Sequence, residues 1–127
     1  MRILLAQLAP QRGAIAENLD RLARVVRQSP VDLAVFPELF LSGYRVGDRV
    51  HTIALRPDGP EIERIRGLAR DHRQAIVVGA PLRSPDRPGE SQNAALLVGS
   101  DGTVSVQPMR FLPTYGPRGC RRAKLRP

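Results

Sequence analysis

The sequence predicts an α/β fold: a largely parallel sheet covered by helices, with an antiparallel addition at its end. Three observations predict it. Short apolar runs of strand formers recur at residues 3–8, 31–36 and 75–80, each followed within two residues by proline. The two stretches between them carry apolar residues at three- and four-residue steps. A final pair of strand-like runs is joined by Asp101-Gly102. Strands that alternate with helices must be laid parallel through crossovers, whereas an Asp-Gly turn returns the chain at once.

Each element has its local reason. Residues 3–8 are apolar on both faces, which predicts a strand buried on both sides. Gly13 breaks the chain. Ile15, Leu19, Leu22, Ala23 and Val26 then form one stripe, with Glu17, Asp20, Arg21, Arg24 and Arg27 between them, so an amphipathic helix is predicted over 16–28. Ser29-Pro30 ends it, because the residue before proline is pushed out of the helical region. Residues 31–36 form a second buried strand that stops at Pro37. A polar loop with Gly43, Gly47 and Gly59 follows. Pro60 suits a first helical position, and Ile62, Ile65, Leu68 and Ala69 mark the buried face of a helix over 60–72. Residues 75–80 are a third buried strand, expected to close at Pro81. Residues 84–92 read as a surface loop, and 93–98 and 104–109 as the hairpin. Nothing divides the chain into two domains.

Composition narrows the function. At 127 residues the chain can bury one modest core, and its 42% apolar and 25% charged residues are ordinary for a globular protein. The net charge is +8, carried by 19 Arg and the single Lys124. Five of these cations, Arg118, Arg121, Arg122, Lys124 and Arg126, lie in 117–127, a segment without an acid. Without them, 15 basic residues face 12 acidic ones and the balance falls to +3. A basic tail can bind nucleic acid, but a solvated end explains the same residues, and no nucleic-acid partner is expected. One cysteine, Cys120, excludes an internal disulfide and any multi-cysteine metal site. No apolar stretch approaches the ~20 residues that cross a membrane, and no signal segment is recognisable, so a cytoplasmic location is expected.

Phe36-Pro37-Glu38 is the feature that carries chemistry. Sites in open α/β sheets form beyond the carboxyl ends of strands, and Glu38 stands at such an end after a rigid proline. A carboxylate emerging there from apolar surroundings suits general-base work. A strand-end Glu that caps a turn or pairs with an Arg would look the same, and position alone leaves both readings open. His51 and His72 are not spaced as metal ligands, Ser42 lacks the Gly-x-Ser-x-Gly elbow, and no phosphate-cradling loop is present. No metal or cofactor is expected.

The ordered set of short motifs goes further. Ala6-Gln7-Leu8, Glu17-Asn18-Leu19, Asp32-Leu33-Ala34-Val35-Phe36-Pro37-Glu38, Ser42-Gly43-Tyr44, Val78-Gly79-Ala80-Pro81, Gln92-Asn93-Ala94-Ala95, Asp101-Gly102 and Leu112-Pro113-Thr114-Tyr115-Gly116 together resemble the nitrilase superfamily of carbon-nitrogen hydrolases. The resemblance implies a partial α-β-β-α sandwich, with residues 1–116 as the N-terminal part of the hydrolase domain. It implies a homo-oligomer if the chain folds, and small-molecule amide or nitrile substrates for the full-length family. It also implies a Glu-Lys-Cys site: a thiolate attacks the nitrile or amide carbon, the Glu moves protons and the Lys stabilises developing charge.

Glu38 matches the family Glu. The family Lys falls three residues before the Leu of Leu112-Pro113, on Met109, and there is no Lys before position 124. Arg110 would face the other side of an extended strand. Cys120 is too close to Met109 and lacks a strand context, so no nucleophile is assigned. After Tyr115-Gly116 the resemblance gives way to Pro117-Arg118-Gly119-Cys120-Arg121-Arg122, and residues 117–127 are expected to be a disordered or non-native tail. A frameshifted or truncated gene would produce this pattern. Genomic DNA with no alternative downstream frame encoding an acidic stretch and a strand-Cys motif would refute that expectation. The chain is expected to lack hydrolysis on its own, as a non-catalytic remnant or interaction protein would, and to aggregate through uncovered apolar faces. A glutaminase portion of a glutamine-dependent NAD synthetase is a further reading within the family.

Overall fold

The computed structural model describes residues 1–109. The expectations about Arg110, Leu112-Pro113, Cys120 and the 117–127 tail lie outside them.

The order of elements is β1 (Ile3–Leu5), α1 (Ile15–Gln28), β2 (Leu33–Val35), a 3-10 turn (Gly47–Arg49) running into the single-turn helix α2 (Val50–Ile53), α3 (Pro60–His72), β3 (Ala75–Arg83), β4 (Ser91–Val98) and β5 (Val104–Pro108). They form one five-stranded sheet in the order β1-β2-β3-β4-β5. Strands β1, β2 and β3 are parallel, with Ile3, Leu33 and Ala75 in register. β4 and β5 return antiparallel. The α/β class and the mixed sheet are therefore as the sequence predicts.

Because the two crossovers step in the same direction across the sheet, right-handedness places α1 and α3 on the same face. Leu19, Leu22, Ala23 and Val26 of α1 and Ile62, Ile65, Leu68 and Ala69 of α3 are buried there. They meet Ala34, Ile76, Val78, Ala80, Leu82, Ala94, Leu96 and Val98, one alternate set along the strands. Each fully buried Leu, Ile or Val contributes about 1.5–3 kcal/mol relative to exposure.

The opposite face has no such cover among the described residues. Ile3 is 50% exposed, Leu5 68% and Leu97 47%. This corrects the expectation that the strand over residues 3–8 is buried on both sides. It spans only Ile3–Leu5, and one of its faces is open.

Further boundaries differ, and β2 spans only Leu33–Val35 of the expected 31–36. β3 does not stop at Pro81 but runs to Arg83, with Pro81 in register with Asn93. The carbonyl of Pro81 accepts from the amide of Leu55. The missing N–H would point to that same edge, away from β4, so proline removes nothing from the β3–β4 ladder. β4 begins at Ser91, inside the expected loop, and β5 ends at Pro108, one residue early. The loop after Pro37 is not wholly irregular, since it contains the 3-10 turn and α2.

Candidate active site

The site is built where β2 ends and β3 continues. Beyond Val35 the chain keeps bonding to β3. The Phe36 amide donates to the Val77 carbonyl at 2.8 Å, the Gly79 amide to Pro37 at 3.2 Å, and the Leu41 amide to Gly79 at 3.2 Å. Residues 37–41 thus lie flat against the edge of β3. That approach demands glycine at 79. A Cβ there would stand 2.6 Å from the Cα of Glu38, and nearer still to the amide nitrogen of Leu39.

The turn itself is strapped on the inside. Amides of Ser42 and Gly43 donate to the Leu39 carbonyl at 3.2 and 2.7 Å. Phe40 and Leu41 are fully buried, and the Phe40 ring lies 5.2 Å from that of Phe36. Asn18, a buried amide in the apolar stripe of α1, ties this turn to the loop after β1. Its oxygen accepts from the Gln11 amide at 2.8 Å, and its Nδ2 donates to the carbonyls of Gln11 at 2.7 Å and Leu41 at 3.0 Å. The Gly13 amide adds a bond to the Ser42 carbonyl at 2.7 Å. Ser42 is buried and its hydroxyl donates to the carbonyl of Gly43, so it is not presented as a nucleophile.

Glu38 projects from this turn. Tyr44 Oη donates to its Oε2 at 2.6 Å, and Asn93 Nδ2 donates to its Oε1 at 2.6 Å. Among the described residues no ion pair reaches the carboxylate. The expected apolar enclosure is absent too: Glu38 is exposed, at the end of the uncovered face. Met109 stands beside it. The Met109 amide donates to the Asn93 carbonyl at 2.8 Å, and Met109 Sδ lies 3.6 Å from Asn93 Nδ2. Positions 38 and 109 therefore meet through one side chain, Asn93.

The other candidates do not join this cluster. His51 Nδ1 is 3.3 Å from Ser91 Oγ on the surface, and His72 is exposed at the end of α3. No group of three His, Cys, Asp or Glu side chains that could hold a metal occurs among the described residues. None of the described helices is long and apolar enough to cross a membrane. A carboxylate with a shifted pKa lies away from the site. Asp101 in the β4–β5 turn is held below the usual carboxylate range, chiefly by the Thr103 amide and then by the Thr103 hydroxyl.

A profile of the carbon-nitrogen hydrolase family matches residues 2–119. The chain belongs to the carbon-nitrogen hydrolase family. Among relatives, it is 40% identical over 104 residues to a hydrolase of the pqqF 5′ region of Pseudomonas protegens, covering 80% of this chain and 36% of that one. It is 35% identical over 101 residues to the glutamine-dependent NAD(+) synthetase of Mycobacterium leprae, covering 79% of this chain and 14% of the relative. Among solved structures, an amidase from Nesterenkonia sp. superposes with a TM-score of 0.70 at 30% identity, over 93% of this chain and 45% of the amidase. This carbon-nitrogen hydrolase chain thus spans less than half the length of each of these relatives.

Sequence reasoning had named Tyr44 and Asn93 only as letters in motifs and given neither a role. Asn18 did leave a signal, as a polar residue inside an otherwise apolar helical stripe. Gly79 left none, because a glycine in a strand does not say which backbone approaches it.

Proposed function

We propose that this chain supplies the glutamate-bearing part of an amidase- or nitrilase-type hydrolase site, and that the 127 residues alone do not turn over amides or nitriles. The observation that carries the reading is the cluster of Glu38, Tyr44 and Asn93 with Met109 alongside. In the family's chemistry the Glu moves protons, a Lys stabilises the charge developing on the substrate, and a Cys thiolate forms the covalent intermediate. Here Glu38 takes the first role. The lysine position holds Met109, whose thioether carries no charge, and no nucleophile is assigned.

The substrates in this reading are small non-peptide amides or nitriles. Residues 1–116 are the N-terminal part of the domain and 117–127 a basic tail outside it, in a cytoplasmic protein that associates with further copies of itself. The test is ammonia release from short aliphatic amides and nitriles by the purified chain. None above the buffer blank is expected. Steady release that disappears in Glu38→Gln would overturn the reading.

A second reading is supported by the 35% identity to the mycobacterial NAD(+) synthetase. In it the chain is the counterpart of a glutaminase portion, and the substrate is the side-chain amide of glutamine. Binding of glutamine, but not of a simple aliphatic amide, would move the Asn93 side-chain amide resonances. Equal shifts with both ligands would reject this narrower reading.

A further inference from the structure

We infer that Tyr44 and Asn93 are positioning residues for Glu38, holding its carboxylate at two points before any other part of a hydrolase site is present. The inference deepens the proposed function and rests on it for what the carboxylate is positioned to do.

Both donor-acceptor distances are 2.6 Å: the Tyr44 bond lies in the range of charge-assisted O–H···O⁻ contacts, and the Asn93 bond is shorter than the usual ~2.9 Å of N–H···O contacts. The two donors come from different elements. Tyr44 lies in the same loop, six residues on, whereas Asn93 belongs to β4 and is fixed in register against Pro81. The carboxylate is thus braced between a loop and the sheet, with one oxygen assigned to each.

Backbone strain points the same way. Leu39 (φ 50°), Arg45 (φ 56°) and Arg73 (φ 52°) are the non-glycine residues with left-handed φ among those described. Arg73 ends α3, an ordinary place for that conformation. Leu39 instead follows Glu38 directly, and Arg45 follows Tyr44. A left-handed non-glycine residue costs about 1–2 kcal/mol and persists only where its surroundings impose it. The left-handed residues that lie between Glu38 and Tyr44, Leu39 and Gly43 (φ 71°), turn the chain so that the Tyr44 phenol comes back over Glu38.

Stability alone does not account for the arrangement. Glu38 is exposed and Tyr44 is 50% exposed, so their bond exchanges one solvated state for another with small net gain. Orientation is what two short bonds at an exposed carboxylate secure. Neutral donors also leave the charge in place, whereas an Arg or Lys partner would neutralise it. A fixed, unneutralised carboxylate is what a proton acceptor requires.

The chain contains no Trp and two Tyr, so tyrosine emission reports on the clamp without any turnover. A phenol hydrogen-bonded to a carboxylate loses emission by passing its proton in the excited state. In the 127-residue chain carrying Tyr115→Phe, Tyr44 is the single emitter and its emission is expected to be weak. A hydrogen bond of ordinary net strength shifts an occupancy by roughly two- to tenfold, so Glu38→Gln should raise the emission about twofold or more. Asn93→Leu, which removes the second donor at similar volume, should give an intermediate rise. Side-chain 13C relaxation of Glu38 should be rigid in the parent and mobile in Asn93→Leu, with unchanged far-UV circular dichroism as the check on folding. Unchanged emission in Glu38→Gln, or unchanged emission and relaxation in Asn93→Leu, overturns the two-point clamp. Neither readout requires hydrolysis, so a failed clamp is distinguishable from a failed functional reading, which the ammonia assay tests separately.

Discussion

Replacing Gly79 with alanine sets one methyl group against the backbone that carries Glu38. The new Cβ would lie 2.6 Å from the Glu38 Cα, whereas ordinary carbon–carbon contacts begin near 3.4 Å. Both partners are backbone in a strand and a strapped turn, so neither can swing aside as a side chain would. Relief requires residues 37–41 to move off β3 by roughly an ångström, which breaks the bonds from Gly79 to Pro37 and from Leu41 to Gly79. Overpacking costs about 1–3 kcal/mol and the two hydrogen bonds about 1 kcal/mol each. Against this, alanine restricts the unfolded chain and returns at most about 1 kcal/mol. The net loss is about 2–4 kcal/mol, a large part of the stability of a small domain. Urea titration at low protein concentration, followed by circular dichroism, should show the midpoint fall by about 1–4 M, given a slope near 1–1.5 kcal/mol/M for this size. Gly67→Ala is the internal control. Gly67 lies in α3 with nothing within 4 Å of its would-be Cβ, and the exchange should stabilise by up to about 1 kcal/mol. A Gly79→Ala midpoint within error of the parent would refute the claim that the Glu38 turn rests directly on β3.

Asn18→Leu removes three hydrogen bonds and strands the Gln11 and Leu41 groups they served, so a loss of about 2–4 kcal/mol is expected in the same titration. A loss under half a kilocalorie would show that the two loops hold together without it. Leu97→Lys places a charge on the uncovered face, where the leucine is already 47% exposed. Light scattering should report less self-association with stability changed by under about 1 kcal/mol; scattering equal to the parent would mean that another surface drives association. Asp101 has a lowered pKa in the folded chain, so its contribution is present above its unfolded value and is lost as pH falls through the folded one. The Thr103 amide resonance should therefore hold its position through pH 5 and move only below about pH 4. Movement already complete by pH 5 would contradict the assigned bond.

How much of this was legible in the sequence depends on how local each determinant is. The stripe of Leu19, Leu22, Ala23 and Val26 and the Asp101-Gly102 turn are written within a few residues of where they act, and both elements formed as read. The one-sided sheet was not visible in Ile3, Leu4 and Leu5, because an apolar run does not say how many of its faces are covered. Pro81 misled for a related reason. Its missing donor matters only if it points at a neighbouring strand, and the pairing of β3 with Leu55 was not written nearby. Glu38 was legible through its position after the strand and through family resemblance. Its partners were not, since Asn93 reaches it across 55 residues of sequence and Tyr44 only through the left-handed turns at Leu39 and Gly43.

The close approach at Gly79 has a consequence for the gene. Every glycine codon begins with two guanines, so any single-base substitution that changes the amino acid introduces Ala, Val, Ser, Cys, Asp, Glu, Arg or Trp. Each of these carries a β-carbon. Position 79 therefore has no conservative missense step available to it. While selection on the Glu38 turn persists, only silent third-base changes should accumulate at that codon.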